Sequence, residues 1–247
     1  MSPERYDEER RQGERIAAGA LEHVWGWSTA AGRIRAARRA QFLVEAAGLA
    51  PGVRCLELGC GTGEFTRRLA ASGCELVGVD IAPATAAIAR DRLAGRAEIV
   101  VGNVETGEGL EEREFDAIVG VSVLHHVDLE ATLAHTFALL RPGGRFAFSE
   151  PNLANPQVWA ERNVAPLRRL RHVTPHETAF LAGDLRRRLE RAGLLVDVCE
   201  QFEFLHPATP RALIPSVRAV ERLFERTPLR AIAGSIRVAG RRPGDER

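Results

Sequence analysis

The stretch VRCLELGCGTGEF (residues 53–65) joins an apolar run to a helix-like segment through a turn with glycine at every second position. The run VRCLEL (53–58) is typical of a buried strand, because it is short, apolar and followed by a turn. A glycine-rich turn between a strand and a helix lets the backbone approach a ligand closely. The stretch therefore predicts a strand, a ligand-binding turn and a helix, and it leaves the ligand open.

Short apolar runs alternate with helical patterns along the rest of the chain. The predicted strands cover residues 53–58, 74–80, 97–102, 115–121, 145–150, 194–205 and 234–242. The predicted helices cover 62–71, 83–93, about 129–140, 177–192 and 211–226, and RPGG (141–144) is a predicted turn. Repeated alternation of strand and helix predicts an α/β fold with a doubly wound parallel sheet, whose ligand crevice lies at the carboxyl ends of the strands.

The flanks of this α/β region have patterns of their own. Residues 1–50 look helical and carry an arginine-rich face, so we predict an N-terminal helical cap. The remaining residues, 51–247, are predicted to form the main domain. Its expected parts are a core at 53–150, a substrate lid at about 151–176, which is rich in Pro and Asn, and C-terminal helices and strands at 177–247.

The composition argues against several classes of protein. The 247 residues carry a formal net charge of +1, whereas nucleic-acid-binding domains usually have a basic excess, so no nucleic-acid partner is expected. All 34 basic residues are arginine, which excludes a Walker-type phosphate loop and a Schiff-base lysine. Four cysteines without a C-x-x-C pair and a charged N-terminal stretch favour a reduced, cytoplasmic protein. We expect no metal site and no membrane span, since neither ligand spacing nor a run of roughly 18 apolar residues occurs.

The glycine turn departs from the dinucleotide fingerprint G-x-G-x-x-G. The position three after Gly61 is Glu64, so the pattern is E-x-G-x-G-x-G, from Glu57 to Gly63. A carboxylate at the end of the strand repels a pyrophosphate and attracts an ammonium or sulfonium group. The turn is therefore expected to serve a cationic ligand.

Polar side chains also follow the next two predicted strands. Asp80 ends the strand in VGVD, about 20 positions after the turn, where an acidic residue can bind both hydroxyls of a ribose. Asn103 follows the third strand in VVGNVE, where a side-chain amide can accept from an adenine amino group. The three elements together predict a site for a cationic nucleoside.

With FDAIVGVSVLHHV (115–127) and LRPGGRFAFSEPN (140–152), these elements resemble the class I S-adenosylmethionine-dependent methyltransferases that act on small molecules. The resemblance is close over residues 53–150 and loose over 177–242. It implies a Rossmann-like sheet of seven mostly parallel strands, with helices on both faces and an antiparallel last strand. It also implies S-adenosyl-L-methionine as the cofactor and S-adenosyl-L-homocysteine as the product.

The resemblance assigns a role to each element of the cofactor site. The turn, with Cys60 and Thr62 between Gly59, Gly61 and Gly63, would lie under the methionine part, and Glu57 would hold the amino group directly or through water. An arginine of residues 33–39 would reach the carboxylate, the alternative being a solvated arginine stripe. The other expected contacts are the ribose at Asp80, the adenine face at Ile81, the adenine edge at Asn103 and Val104, the methionine end at Val121 and the carboxylate at Arg38.

Two histidines are candidates for a general base. His125 and His126 follow the fourth strand, at the carboxyl edge where the methyl group is expected to emerge. Methyl transfer needs a base only if the acceptor has a proton to lose. We expect one of the two histidines at most to face the site, because neighbours on a helix point in different directions. The alternative is a histidine that caps a helix or packs against the cofactor.

Five residues are predicted to contact the acceptor: Trp25, Trp27, Glu150, Asn152 and His172. The alternatives are that the tryptophans anchor the N-terminal helix, that the residues of EPN (150–152) form turns, and that the histidine is solvated. Residues 211–226 place four apolar side chains on one face, namely Leu213, Val217, Val220 and Phe224. This face is expected to dock on the sheet, with a lipid-like acceptor or a membrane surface as the alternative.

The sequence thus predicts a methyltransferase for a small-molecule acceptor, with oxygen as the methylated atom. The alternatives are a carbon or nitrogen methyltransferase for a lipid, quinone or natural-product scaffold, and a regulatory protein that binds the cofactor without catalysis. Monomer and homodimer stay open as oligomeric states. Neither the acceptor nor the atom that is methylated follows from the pattern.

Overall fold

The computed structural model describes residues 3–19, 26–111, 113–170 and 177–244. The strands are β1 (Arg54–Leu58), β2 (Glu75–Asp80), β3 (Glu98–Val101), β4 (Phe115–Val121), β5 (Leu140–Pro151), β6 (Leu195–Phe202) and β7 (Ser235–Arg241). These seven strands form one sheet in the order β3-β2-β1-β4-β5-β7-β6. β1 to β5 run parallel to one another, whereas β7 is antiparallel to both β5 and β6. The predicted seven-stranded sheet with an antiparallel last strand is confirmed.

Helices cover both faces of the sheet. The described α-helices are α1 (Pro3–Ala17), α2 (Ala30–Ala47), α3 (Thr66–Leu69), α4 (Pro83–Leu93), α5 (Leu129–Leu139), α6 (Pro156–Asn163), α7 (Ala165–Leu170), α8 (Ala182–Arg191) and α9 (Ile214–Phe224). Neighbouring residues of a strand point to opposite faces. Leu56 accordingly packs in the core layer that contains α5 and α8, whereas Cys55 packs in the layer that contains Leu43 of α2 and Leu69 of α3.

The chain reverses its direction of winding between β1 and β4. β2 and β3 lie on one side of β1, and β4 and β5 lie on the other. In open α/β sheets a ligand crevice forms at such a switch point, outside the carboxyl ends of the strands. The ends at Leu58, Asp80 and Val121 therefore surround the candidate site.

The helix predicted over 62–71 is shorter in the structure, where α3 covers only Thr66–Leu69. Two other predicted elements differ because the chain pairs elsewhere. The helix predicted over 177–192 begins at Ala182, because the backbone before it bonds to the turn after β4 and to the end of β5: Thr178 N donates to His125 O (3.1 Å) and Phe180 N donates to Pro151 O (3.2 Å). The turn predicted at 141–144 belongs to β5, with Gly143 at a φ of 77° where the register with β4 shifts. In both cases, pairing with a distant strand overrides the local signal.

Candidate active site

A cavity of about 650 Å³ opens at the carboxyl ends of β1, β2 and β4. It is lined by most of the residues predicted to bind the cofactor: Glu57, Gly59, Cys60, Gly61, Thr62, Asp80, Ile81, Asn103, Val104 and Val121. Gly63 does not belong to the lining. It faces α4 instead, where an added Cβ would lie 3.3 Å from Ala89, so this glycine serves helix packing.

The glycine turn presents its backbone to the cavity. Gly59 and Gly61 have φ values of 64° and 52°, in the left-handed region that favours glycine. A Cβ at Gly59 would lie 2.6 Å from Val123 Cγ2, whereas a Cβ at Gly61 would meet nothing within 4 Å. Gly61 is therefore held in a glycine-only conformation over open space, as expected of a turn that a ligand approaches closely.

Glu57 is a buried acid without a positive partner among the described residues. Its Oε2 is buried and accepts no hydrogen bond, although the residue lines the cavity. Burial raises the pKa of Glu57 from 4.5 to about 8. A ligand that brought an ammonium or sulfonium group close to this carboxyl would stabilise its charged form. The orphaned oxygen therefore fits the cationic end of S-adenosylmethionine.

Asp80 ties the second strand to the glycine turn. Its Oδ2 accepts from Gly61 N (2.8 Å), and its Oδ1 accepts from Ala82 N (3.0 Å) and Thr85 Oγ1 (2.8 Å). A carboxylate offers about four acceptor positions, so roughly one remains for a ligand hydroxyl. Burial raises the pKa of Asp80 despite these hydrogen bonds. The side chain thus shapes the turn, and its contact with a ribose stays a prediction.

Asn103, which is predicted to contact the adenine edge, lines the cavity. The residue is buried, and its Oδ1 accepts from Glu105 N at 2.9 Å, which fixes the side chain in a local turn. Glu105 in turn accepts from Asp128 N at 2.7 Å. These bonds hold the loops after β3 and β4 together at the edge of the cavity, so Asn103 and Val104 have defined positions there.

The arginines of α2 divide into two groups. Arg38, predicted to bind the cofactor carboxylate, lies in ion pairs with Glu221 and Glu225 at 2.8 and 3.0 Å and is not part of the cavity lining. Arg35 and Arg39 line the cavity instead, and both pair with Glu203 Oε2, at 2.9 and 2.5 Å. The helix turns Arg38 away from the cavity, so the prediction named the wrong arginine of this segment for a cavity position.

Two guanidinium groups on one carboxylate leave an excess positive charge beside the cavity. Arg35 and Arg39 also lie over the ring of Trp27, at 5.5 and 5.3 Å from its centroid. Burial lowers the pKa of Arg35, although Glu203 counteracts the shift. A guanidinium stays charged under these conditions. The cluster can therefore accept a second carboxylate from a ligand.

His125 forms a buried pair with Glu150. His125 Nδ1 lies 2.7 Å from Glu150 Oε2, and Glu150 Oε1 accepts from the backbone N–H groups of Val123 and Leu124 at 3.0 Å each. On the other side, His125 Nε2 lies 3.6 Å from Glu177 Oε1. Burial opposes the charged imidazole, but the two carboxylates outweigh it and raise the pKa of His125 above its usual value. The arrangement fixes the ring, with Nδ1 on Glu150 and Nε2 towards Glu177, which also lines the cavity.

His126 also lines the cavity, contrary to the expectation that only one of the pair faces it. The reason is local structure, because residues 123–127 form a turn and α5 begins only at Leu129. The ring of His126 lies 4.2 Å from that of His125, centroid to centroid. Its Nδ1 is 3.6 Å from Glu9 of α1, and Arg5 Nε donates to its carbonyl at 3.1 Å.

Helix α1 forms one wall of the cavity. Glu9, Gln12, Gly13 and Ile16 belong to the lining. A Cβ at Gly13 would lie 2.2 Å from the Cβ of Ala82, at the start of α4, so glycine allows the close approach of the two helices. Gly13 lies within a strongly charged helical sequence, and this glycine is the sequence signal for the contact. The contact was not among those predicted from the sequence.

The predicted acceptor contacts have mixed outcomes. Trp27 lines the cavity and meets Phe65 edge to face at 5.3 Å between centroids. Glu150 and Asn152 are fully buried outside the lining; Asn152 Nδ2 donates to Ala231 O and Ala233 O at 2.9 and 2.7 Å. Glu150 lies in β5 and contacts His125 instead of the cavity, and Asn152 follows the strand in an isolated bridge with Phe180. Trp25 and His172 lie outside the described residues.

Glu177 is a second site residue that sequence reasoning missed. Its carboxylate pairs with Arg162 at 2.7 Å and faces His125. The two acids beside His125, Glu150 and Glu177, come from segments distant from it in the sequence. The pKa of Glu177 is lowered to about 2, since His125, His126 and Arg162 outweigh burial. The ligand atoms of His125, His126 and Glu177 lie within 4.8 Å of one another. Arg162 already supplies the positive partner that a metal would provide, so the group is best described as a polar network.

Comparison with known proteins identifies the class. Residues 29–197 match the family described as a methyltransferase domain. The chain is 33% identical over 141 residues to a demethylmenaquinone methyltransferase of Tropheryma whipplei (strain Twist), covering 56% of each chain. It is 32% identical over 125 residues to a ubiquinone biosynthesis O-methyltransferase of Alkalilimnicola ehrlichii, covering 49% of this chain and 50% of that protein. The chain thus spans about half the length of these curated relatives.

A solved structure shares the fold over nearly the whole chain. The N-methyltransferase NodS from Bradyrhizobium japonicum WM9, in complex with S-adenosyl-L-homocysteine, superposes with a TM-score of 0.64 at 18% identity, covering 95% of this chain and 98% of that one. The protein therefore belongs to the class I S-adenosylmethionine-dependent methyltransferases, as the matched family and the sheet topology together establish.

Proposed function

We propose that the protein transfers the methyl group of S-adenosylmethionine to a hydroxyl oxygen of a small molecule, with His125 as the general base. The pair of His125 and Glu150, 2.7 Å apart beside the cavity, carries this proposal. The cofactor supplies a methyl group that its sulfonium charge already activates. The chain has to hold the two reactants in line, exclude water and remove a proton.

The donor side of the cavity is suited to the two ends of the methionine group. Glu57 has a buried oxygen without a hydrogen-bond partner, which suits an ammonium group. Arg35 and Arg39 share one carboxylate, which leaves charge for the methionine carboxylate. The backbone of Gly61 lines the same cavity, and an added Cβ there would meet nothing within 4 Å. We assign the ribose to Asp80 and the adenine edge to Asn103 and Val104.

The pairing of His125 with Glu150 favours an acceptor that loses a proton. When His125 donates its Nδ1 proton to Glu150, Nε2 keeps a lone pair that can accept the proton of a hydroxyl group. Glu177, 3.6 Å from Nε2, then stabilises the imidazolium that forms. A neutral amine already has a free lone pair for methylation and needs no base for the transfer itself. Oxygen is therefore the atom that this geometry favours.

The relatives and the lining support a ring that carries a hydroxyl group. One relative is named an O-methyltransferase of ubiquinone biosynthesis, and another a methyltransferase of demethylmenaquinone. The lining contributes apolar side chains beside the histidines, among them Trp27, Val158, Phe204 and Leu205. Aromatic and aliphatic walls suit a phenol or quinol ring. We propose this class of acceptor.

Calorimetry and product analysis test the proposal in two steps. Titration with S-adenosylmethionine and with S-adenosylhomocysteine should show binding of both, and no binding of either would overturn the assignment. The second step incubates the enzyme with a catechol and with the aniline of matching ring, and detects methylated products by mass spectrometry. Methylation of the catechol with the aniline unchanged is expected. Binding without any product from either acceptor would favour the non-catalytic alternative, and methylation of the aniline alone would refute oxygen as the acceptor atom.

A further inference from the structure

The outer face of residues 211–232 exposes large apolar side chains. Leu213, Val220, Leu223, Leu229 and Ile232 are between 44% and 62% exposed, and they make up five of the eleven exposed large hydrophobic residues among those described. Leu213 directly precedes α9 with helical backbone angles, Val220 follows it by seven residues and Leu223 follows Val220 by three, so the three share one stripe. We call these five residues the apolar face.

Polar contacts and apolar packing together fix the orientation of α9. Glu221 is fully buried on the inner side, where it accepts from Phe204 N and Leu205 N at 2.6 and 2.8 Å and from Arg38 Nη1 at 2.8 Å. The predicted docking of Leu213 and Val220 on the sheet is therefore wrong. Val217 and Phe224, the other two residues of the predicted face, do pack inwards: Val217 lies beside Ile214 and Leu205, and Phe224 meets Phe204 edge to face at 5.7 Å. The stripe of Leu213, Val220 and Leu223 points outwards.

The charge beside the apolar face is positive. Arg211, Arg222 and Arg226 are exposed and form no salt bridge to the described residues, whereas Glu221 and Glu225 turn inwards to Arg38. An apolar stripe flanked by arginines is typical of helices that lie in the interface of an anionic bilayer. A symmetric contact between two copies would instead bring the arginines of one patch near those of the other.

The apolar face adjoins the mouth of the cavity. Asn155, which lines the cavity and caps α6, donates from Nδ2 to Ile232 O at 2.8 Å. Gln157 and His206 also line the cavity and contact each other at 3.0 Å. Trp159, in the same helix as Gln157, is 52% exposed. Exposed apolar surface thus continues from the face to the rim where an acceptor would enter.

We infer that the apolar face and its arginines dock the protein on an anionic phospholipid membrane, so that a membrane-dissolved acceptor reaches the cavity from the bilayer. The inference rests on the proposed function for the nature of the acceptor, but the docking itself needs no turnover. None of the helices in the described part of the chain is long and apolar enough to cross a membrane. The contact is therefore peripheral, through side chains at the surface.

Vesicle flotation of the full chain tests the docking. Vesicles of phosphatidylcholine with phosphatidylglycerol should carry the protein, and vesicles of phosphatidylcholine alone should carry far less. The double variant V220S/L223S should lose at least tenfold in vesicle affinity. The matched control L181S/L195S changes two apolar residues of similar exposure away from the face and should bind as the wild type does.

The arginines are tested in the same way. The variant R222Q/R226Q should weaken binding to the anionic vesicles by about fivefold per arginine, and added salt should weaken the wild type. The control R186Q/R187Q removes the same charge from α8 and should have little effect. Equal losses in the paired variants and controls would contradict a defined docking face.

Two outcomes would overturn the inference. In one, the wild type binds no vesicles although calorimetry shows that it binds S-adenosylmethionine, which rejects the docking and leaves the proposed function standing. In the other, sedimentation shows a dimer that V220S/L223S dissociates and vesicle binding is absent, which makes the face an interface between copies. Vesicle binding without methylation of any phenol would instead reject the proposed function alone.

Discussion

The two sides of the cavity are built in different ways. Most of the donor side lies at the ends of neighbouring strands of one sheet: Glu57 to Gly61 at the end of β1, Asp80 at the end of β2 and Asn103 after β3. Arg35 and Arg39 of α2 are added to it. The acceptor side assembles His125 after β4, Glu177 before α8 and Trp27 before α2. The first side is therefore built mainly on adjacent strand ends, whereas side chains from separate segments define the second.

This difference teaches where function is encoded. A turn between a strand and a helix has a fixed geometry, so a glycine or an acid at one position has the same meaning in any sheet of this kind. The acceptor side depends on which segments return to the same edge, and it can change without disturbing the sheet. Variants of the acceptor side should therefore separate turnover from cofactor binding, and variants of the donor side should not.

The variant His125→Asn should show the largest effect and would separate the two sides most clearly. Loss of the base should lower kcat by about 10²- to 10⁴-fold, because proton removal from the hydroxyl group then lacks a positioned acceptor. The affinity for S-adenosylmethionine, measured by calorimetry, should stay within about twofold. His126→Asn is the matched control and should keep most of the turnover. Equal losses of turnover in both variants would refute His125 as the specific base.

A comparison of Arg35→Gln with Arg38→Gln tests the boundary of the donor side. Arg35→Gln should weaken S-adenosylmethionine binding by about tenfold, since a charge-assisted hydrogen bond contributes about 1.5–3 kcal/mol. Glu203 keeps Arg39 as its partner in this variant, so the fold should persist. Arg38→Gln should leave cofactor affinity unchanged, because Arg38 pairs with α9. Calorimetry of both variants gives the answer, and a larger loss in Arg38→Gln would restore the original sequence prediction.

The same contrast explains what could be predicted from the sequence. Six of the seven strands begin and end within three residues of the predicted bounds, because each is a short apolar run that ends at a turn. The residues of the donor side followed from their positions after these strands. The partners of His125 did not follow from the sequence. The pattern predicts that Glu150 contacts the acceptor and that Glu177 begins a helix. Glu150 reaches this ring from the end of β5, and Glu177 reaches it through the path of the chain before α8.

The arginines of α2 show that a sequence pattern locates a helix but not which of its residues face a cavity. The prediction located an arginine of residues 33–39 near the cofactor, and Arg35 and Arg39 line the cavity. Arg38 differs from Arg39 only by the rotation of one helical position, about 100°. That rotation depends on how α2 packs on the sheet through Leu43 and Ala47, which a local pattern does not contain.

The variant Glu57→Gln should be more stable than the wild type without cofactor, but it should bind S-adenosylmethionine more weakly. A neutral amide removes a buried carboxyl whose pKa is raised from 4.5 to about 8. Wild-type stability should therefore fall as the pH rises from about 4.5 to 8, because the unfolded state loses this proton first. The variant lacks that loss, so its cofactor-free form should melt a few degrees higher at pH 8 than the wild type, corresponding to about 1–2 kcal/mol.

Cofactor binding should respond in the opposite direction. Glu57→Gln has no negative charge for the ammonium group, so the affinity for S-adenosylmethionine should fall several-fold while the melting temperature rises. Thermal melts with and without the cofactor, at pH 6 and pH 8, measure both quantities. A variant that melts lower than the wild type at pH 8 and binds the cofactor equally well would show that Glu57 is a structural residue with no part in the donor side.

The smallest expected effect concerns the pH profile and belongs to the acceptor side. Hydrogen bonds and charges from Glu150 and Glu177 raise the pKa of His125, and the base works only in its neutral form. kcat/KM should therefore rise with pH until His125 is deprotonated. Glu177→Gln removes one of the raising charges, so the acidic limb should move to lower pH while the plateau changes little. Profiles of the wild type and the variant with the same phenol measure this shift. A limb that stays in place would mean that another group controls the rate, and a limb that moves to higher pH would contradict the sign of the Glu177 interaction.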